Sequence, residues 1–201
     1  MENKVKVAVL VSGGGTNLGA ILKAESDGII KSGHVSLVIS NKEGAYALTR
    51  AENAGVPTAV VTKKAFGAQF ETEISRLIDE AGCELIVLAG FMSILSADFT
   101  KKYDRRIINV HPSLIPSFCG EGYYGLRVHE AALKKGVKVT GATVHFVNEI
   151  PDGGEIIAQR AVLIEEGDTP ETLQKRVMEQ AEWIILPQAV EKVCAEIKKE
   201  R

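Results

Sequence analysis

Val5-Lys6-Val7-Ala8-Val9-Leu10-Val11-Ser12-Gly13-Gly14-Gly15-Thr16-Asn17-Leu18 opens the first structural unit of the chain. Residues 5–11 form a nearly continuous apolar run, the pattern of a short strand buried in a sheet. Residues 17–25 carry a helical pattern, with Thr16 near its start. A buried strand joined to a helix by a glycine turn is the first half of a βαβ unit. Its glycines let the backbone approach a ligand closely, and the N–H groups and dipole at the helix start favour a phosphate. Glycines alone fit an ordinary tight turn as well. A dinucleotide fingerprint is only half matched, because Leu18 holds the place of its third glycine. The second strand ends Ser40-Asn41, without the acidic residue that would meet a ribose. The Gly-Lys-Ser/Thr of a P-loop is also missing, which leaves a small phosphate-bearing substrate as the better reading.

The alternation continues outward from this unit. Strands are predicted at residues 34–39, 58–61, 85–89 and 107–110, and helices at 45–54, 66–81 and 97–103. Phe66, Phe70, Ile74, Leu77 and Ile78 set the helical spacing of the longest of these. The last third differs: residues 137–147 and 155–164 are β-rich and joined by the turn-rich segment 148–154. Pro170 marks a first helical turn, and residues 172–199 read as a long helix interrupted at Pro187. The fold class expected is α/β: three layers around a doubly wound, mostly parallel sheet, with an antiparallel strand pair in the C-terminal third. The 201 residues, 45% of them hydrophobic, suit one domain with a full core.

A net charge of −2 leaves no basic footprint for nucleic acid. No apolar run reaches the ~20 residues of a membrane span. Met1-Glu2-Asn3-Lys4 leads straight into the first strand, without the regions of a signal peptide. Cys83, Cys119 and Cys194 are odd in number and far apart, which fits neither a disulfide framework nor a zinc site and suits a reducing cytosol.

Candidate chemistry gathers around Asn109-Val110-His111-Pro112-Ser113-Leu114-Ile115-Pro116. Two residues apart on an extended chain, Asn109 and His111 point the same way, and the prolines stiffen the exit from the sheet. Asp152-Gly153-Gly154 taken alone is an ordinary β-turn. A carboxylate there, folded back to the edge of the fifth strand, would orient and charge His111. His34 opens a strand, and His129 lies in a helical pattern. His145 shares a strand with Val144 and Phe146, as core or as a supporting partner. Cys119 is conceivable as a nucleophile, but nothing near it in sequence would lower its pKa. Residues 88–95 leave the fourth strand as an apolar loop, suited to the core or to the wall of a pocket for a flat aromatic ligand.

These motifs together resemble the folate-dependent phosphoribosylglycinamide formyltransferases, collinearly over about residues 5–190. The Asn-x-His-Pro-Ser-Leu-Leu/Ile-Pro element marks the wider superfamily, and the Ser-Gly-x-Gly-Thr/Ser-Asn loop is the more specific sign. The resemblance implies a single formyltransferase domain over residues 1–201, phosphate-binding in its N-terminal half, folate-binding and catalytic in its C-terminal half. It implies that Asn109, His111 and Asp152 are catalytic, with His111 protonated. Gly15, Thr16 and Asn17 would hold the substrate phosphate, and Glu182 the glycinamide. Gln69, Met92, Ser93, Ile94, Leu95, Asn109, Asn148, Glu149, Ile150, Pro151 and Asp152 would hold 10-formyltetrahydrofolate. No metal, nucleic acid or membrane is implied. The partners are the two small-molecule substrates, and the protein is expected to be a cytoplasmic monomer or homodimer.

Three features depart from the family pattern. Ser93 and Gln69 stand where arginines are common, and the loop over residues 117–126 is longer than usual. That loop is expected to line or lid the site. A formyltetrahydrofolate hydrolase would use the same three residues on water, but its usual N-terminal regulatory domain has no room here. A methionyl-tRNA formyltransferase needs a further RNA-binding domain and a basic surface. A non-catalytic nucleotide-binding module would have no use for Asn109, His111 and Asp152 together.

Overall fold

Val5, Val7, Val9 and Val11 face one side of the central sheet, Ala8 and Leu10 the other, and both sides are packed against helices. The first strand is apolar throughout its middle because neither face meets water. The computed structural model describes residues 4–201. In chain order the elements are β1 (Val5–Val11), α1 (Thr16–Ser26), β2 (Gly33–Ser40), α2 (Tyr46–Asn53), β3 (Thr58–Val60), α3 (Lys63–Phe66) and α4 (Phe70–Ala81). They continue with β4 (Leu85–Leu88), α5 (Ala97–Lys102), β5 (Ile107–His111), α6 (Leu126–Lys135), β6 (Val139–Phe146), β7 (Ile156–Leu163), α7 (Pro170–Val177) and α8 (Trp183–Lys199).

The seven strands form one sheet in the order β3-β2-β1-β4-β5-β6-β7. Pairing is parallel from β3 through β5. It is antiparallel between β5 and β6 and between β6 and β7. The chain winds outward from β1 through β2 to β3, then returns to β4 on the other flank of β1. The carboxyl ends of β1 and β4 therefore border the crevice where open α/β sheets hold their ligands.

Two helices depart from the sequence reading. The pattern over residues 66–81 is not one helix: the long α-helix starts only at Phe70. Before it, Thr62 caps the single turn α3, and Gly67, at φ 52, ends that turn and begins a short 3₁₀ turn. The long C-terminal helix is interrupted at a π-helical turn over Met178–Glu182, and Pro187 lies inside α8. A proline ring crowds the carbonyl four residues earlier. That residue is Trp183, whose ψ of −7° turns its carbonyl out of the α-helical direction. The distortion owed to Pro187 is thus absorbed one turn upstream.

Candidate active site

The sheet register brings the polar residues together. Asn109 on β5 is paired with His145 on β6, so both side chains project from the same face, beside His111. His145 Nδ1 lies 2.7 Å from the carbonyl of Phe146. A carbonyl only accepts, so that nitrogen carries the proton, and Nε2 accepts from the Asn109 amide at 3.2 Å. His111 is 4% exposed. Its Nε2 donates to the Phe118 carbonyl at 2.8 Å, and its Nδ1 faces Asp152 Oδ2 at 3.4 Å.

Asp152 reaches this cluster because of its turn. Asn148 Oδ1 accepts from the Ile150 N–H at 3.0 Å, and the Ile150 carbonyl from the Gly153 N–H at 2.9 Å, which folds the segment tightly. Asp152 takes φ 56. A side chain at Gly154 would place its Cβ 1.7 Å from the Phe146 carbonyl oxygen, so only glycine lets the turn lie on the end of β6. The carboxylate then stands between two imidazoles, with Oδ1 3.5 Å from His145 Nε2. The Gly120 N–H donates to Oδ2 at 2.8 Å. The loop over residues 117–125 thereby lines the site through backbone groups, one on His111 and one on Asp152.

Burial opposes ionisation of Asp152, but His145, His111 and the Gly120 N–H outweigh it and hold the carboxyl below its ordinary value. Burial holds the His111 imidazole below its ordinary value, against the pull of Asp152 and Phe118. Both of its nitrogens face acceptors, the Phe118 carbonyl and the Asp152 carboxylate, so geometry favours a proton on each while burial opposes the charge. His129 is fully buried on α6, and neither ring nitrogen has a partner among the described residues. Burial, then nearby His111, push it down to about 4. Cys119 donates its thiol to the Pro116 carbonyl at 3.3 Å. Burial and the Asp152 carboxylate raise its pKa, which disfavours a thiolate nucleophile.

Beside this cluster opens a cleft of about 140 Å³ lined by Leu88, Phe91, Ser93, Ile94, Leu95, Asn109, His145, Val147 and residues 148–152. Its walls are apolar side chains and its far edge is the turn carrying Asp152, which suits a flat ring held by backbone groups. Ser93 accepts from the Asn41 amide at 2.9 Å and so ties the cleft to the end of β2. Met92 does not line the cleft; its N–H donates to Ser12 Oγ at 2.8 Å and its side chain is exposed. Gln69 sits on the exposed 3₁₀ turn, outside the lining residues.

The glycine loop lies at the carboxyl end of β1. Gly15 caps α1 at φ 69, and a Cβ there would meet Ala47 Cβ at 2.6 Å. At Gly13 and Gly14 a Cβ would meet no described atom within 4 Å, so the space before them is open. Thr16 is exposed. Asn17 is buried, and its amide donates to Glu182 Oε2 at 2.8 Å, joining the loop to the π-helical turn. Asn17 Oδ1 has no partner among the described residues.

Burial pushes Glu182 up to about 6 from 4.5, with the Asn17 amide opposing. Below pH 4.5 the group is protonated folded or unfolded; above pH 6 it is ionised in both, and the folded state bears the cost of burying the charge. Stability therefore falls as pH rises between those values, by about 2 kcal/mol. Glu182→Gln is expected to be more stable than the parent at pH 8 and equal to it at pH 4. Denaturant melts at the two pH values check this, and an equal gap at both would refute it.

Among the described residues no group of three or more His, Cys, Asp or Glu is placed to hold a metal ion. No helix among them is long and apolar enough to cross a membrane. Cys83, Cys119 and Cys194 are free.

Residues 5–190 match the formyl transferase family. The chain is 47% identical over 195 residues to the trifunctional purine biosynthetic protein adenosine-3 of Gallus gallus, covering 96% of this chain and 19% of that one. It thus spans about a fifth of the length of that relative. It is 42% identical over 184 residues to the phosphoribosylglycinamide formyltransferase of Haemophilus influenzae, covering 90% of this chain and 84% of that one. Among solved structures, glycinamide ribonucleotide transformylase 1 of Symbiobacterium toebii superposes with a TM-score of 0.90 at 38% identity, over 98% of this chain and 90% of that one.

Proposed function

The chain belongs to the formyl transferase family, and from that premise we propose that it transfers the formyl group of 10-formyltetrahydrofolate to the primary amine of phosphoribosylglycinamide, a step of purine biosynthesis in the cytosol. The carrying observation is the cluster of Asn109, His111, His145 and Asp152 at the mouth of the apolar cleft. The anion loop, joined through Asn17 to Glu182, supports a phosphorylated acceptor. One domain divides the work: the N-terminal half takes the phosphate, the C-terminal half the folate and the chemistry. Glu182 and the unpartnered Asn17 Oδ1 supply acceptors for the N–H groups of a glycinamide.

As the amine attacks, charge develops on the formyl oxygen. Asn109 gives one amide N–H to His145, which leaves the other for that oxygen. His111 brings an Nε2–H, which the Phe118 carbonyl holds until the formyl oxygen replaces it. Its Nδ1 faces the Asp152 carboxylate, a pair that gains from a proton held between them. The proton leaving the attacking nitrogen passes to this pair and from there to the departing folate nitrogen, Asp152 acting through water. A metal has no part in this scheme.

The test is folate release, followed by absorbance, from a 10-formyl-folate analogue with and without phosphoribosylglycinamide. Release only with the amine is expected. Release without it would make the protein a hydrolase, and no release in either case would make it a binding module.

A further inference from the structure

We propose that Arg50 is a positioning residue for the acceptor's phosphate, acting through the peptide planes of the glycine loop; the proposal rests on the reading of that loop as the phosphate site. The first turn of α2 lies against the loop. Its Ala47 N–H donates to the Gly13 carbonyl at 3.0 Å, and Arg50 Nε donates to the Gly14 carbonyl at 2.8 Å. A trans peptide holds its C=O and the next N–H on opposite sides. Drawing both carbonyls toward α2 therefore turns the N–H groups of Gly14 and Gly15 away from it. The space beyond Gly13 and Gly14 is open.

Glycine dihedrals are soft, and a Gly14 carbonyl left free could rotate into the cradle and present an acceptor to an anion. The Arg50 bond prevents that rotation. The guanidinium is itself held in place, 5.0 Å over the ring of Tyr46, one helical turn earlier. Its Cδ lies 3.5 Å from the Cβ position of Gly15, and its Nη1 3.6 Å from that of Gly19, so it lies along the first turn of α1. Neither Nη nitrogen donates to another described residue, so the charge beside the loop is not neutralised by a carboxylate.

Arg50→Met should raise KM for phosphoribosylglycinamide by roughly ten- to a hundredfold, the effect of one charge-assisted hydrogen bond, and change kcat little. The readout that a merely structural role would not move is the preference, in kcat/KM, for phosphoribosylglycinamide over its dephosphorylated riboside. That preference should collapse in Arg50→Met. Arg50→Lys keeps the charge without the planar fork, and should fall between the two. A wild-type preference in Arg50→Met would overturn the proposal; should that variant fail to fold, a wild-type preference in Arg50→Lys would do so. A parent protein with no preference for the phosphorylated acceptor would instead overturn the reading of the loop, and this proposal with it.

Discussion

Asp152→Asn is expected to lower kcat by roughly 10²–10⁴-fold, the range for loss of a positioned acid–base group, with the fold intact. An asparagine has the same shape and still accepts from the Gly120 N–H. What it lacks is negative charge beside His111 and the capacity to take a proton. Because Asp152 is ionised well below neutrality, the deficit should persist at every pH where the parent is active. Single-turnover rates with both substrates, alongside melting curves, provide the check. A kcat above a tenth of the parent's would mean that the proton takes another route.

His111→Asn carries the second large effect. Removing one donor to a developing oxyanion costs on the order of 10²–10³ in kcat. KM should stay within about threefold if the contact is made only in the transition state. Placing both substitutions in one chain adds a sharper criterion. Residues that act as one unit are grossly non-additive, so the double variant should be about as slow as the slower single one. Multiplicative losses would mean that the two side chains work independently, and the 3.4 Å approach between them would have no catalytic meaning.

Much of this was legible in the chain because local patterns carried it. The run over residues 5–11 is apolar because β1 is covered on both faces, and the spacing of Asn109 and His111 follows directly from strand geometry. The rest depends on contacts between distant segments. His145 could be weighed only once its register opposite Asn109 was known, since a strand pattern says which face a residue takes but not which neighbour it meets. The partner of the Asp152 carboxylate, the Gly120 N–H, lies on a loop whose path no periodicity describes. Pro187 announced a break in the last helix, yet the break sits a turn earlier, because the strain falls on the carbonyl the ring faces. Gln69 rested on resemblance alone, and Met92 on resemblance and on the apolar run over residues 88–95; neither borders the cleft.

The bond between Asn17 and Glu182 spans 165 residues. A chain emerging from the ribosome makes the glycine loop long before the π-helical turn. The cleft and its polar cluster, all within residues 88–152, are in hand well before that turn is synthesised. Nascent chains halted before residue 178 would therefore lack the carboxylate that holds Asn17, however well their central sheet had formed. On the proposed reading of Glu182, order of synthesis becomes a safeguard: the amine substrate is held only once the segment over residues 178–199 has packed against the glycine loop.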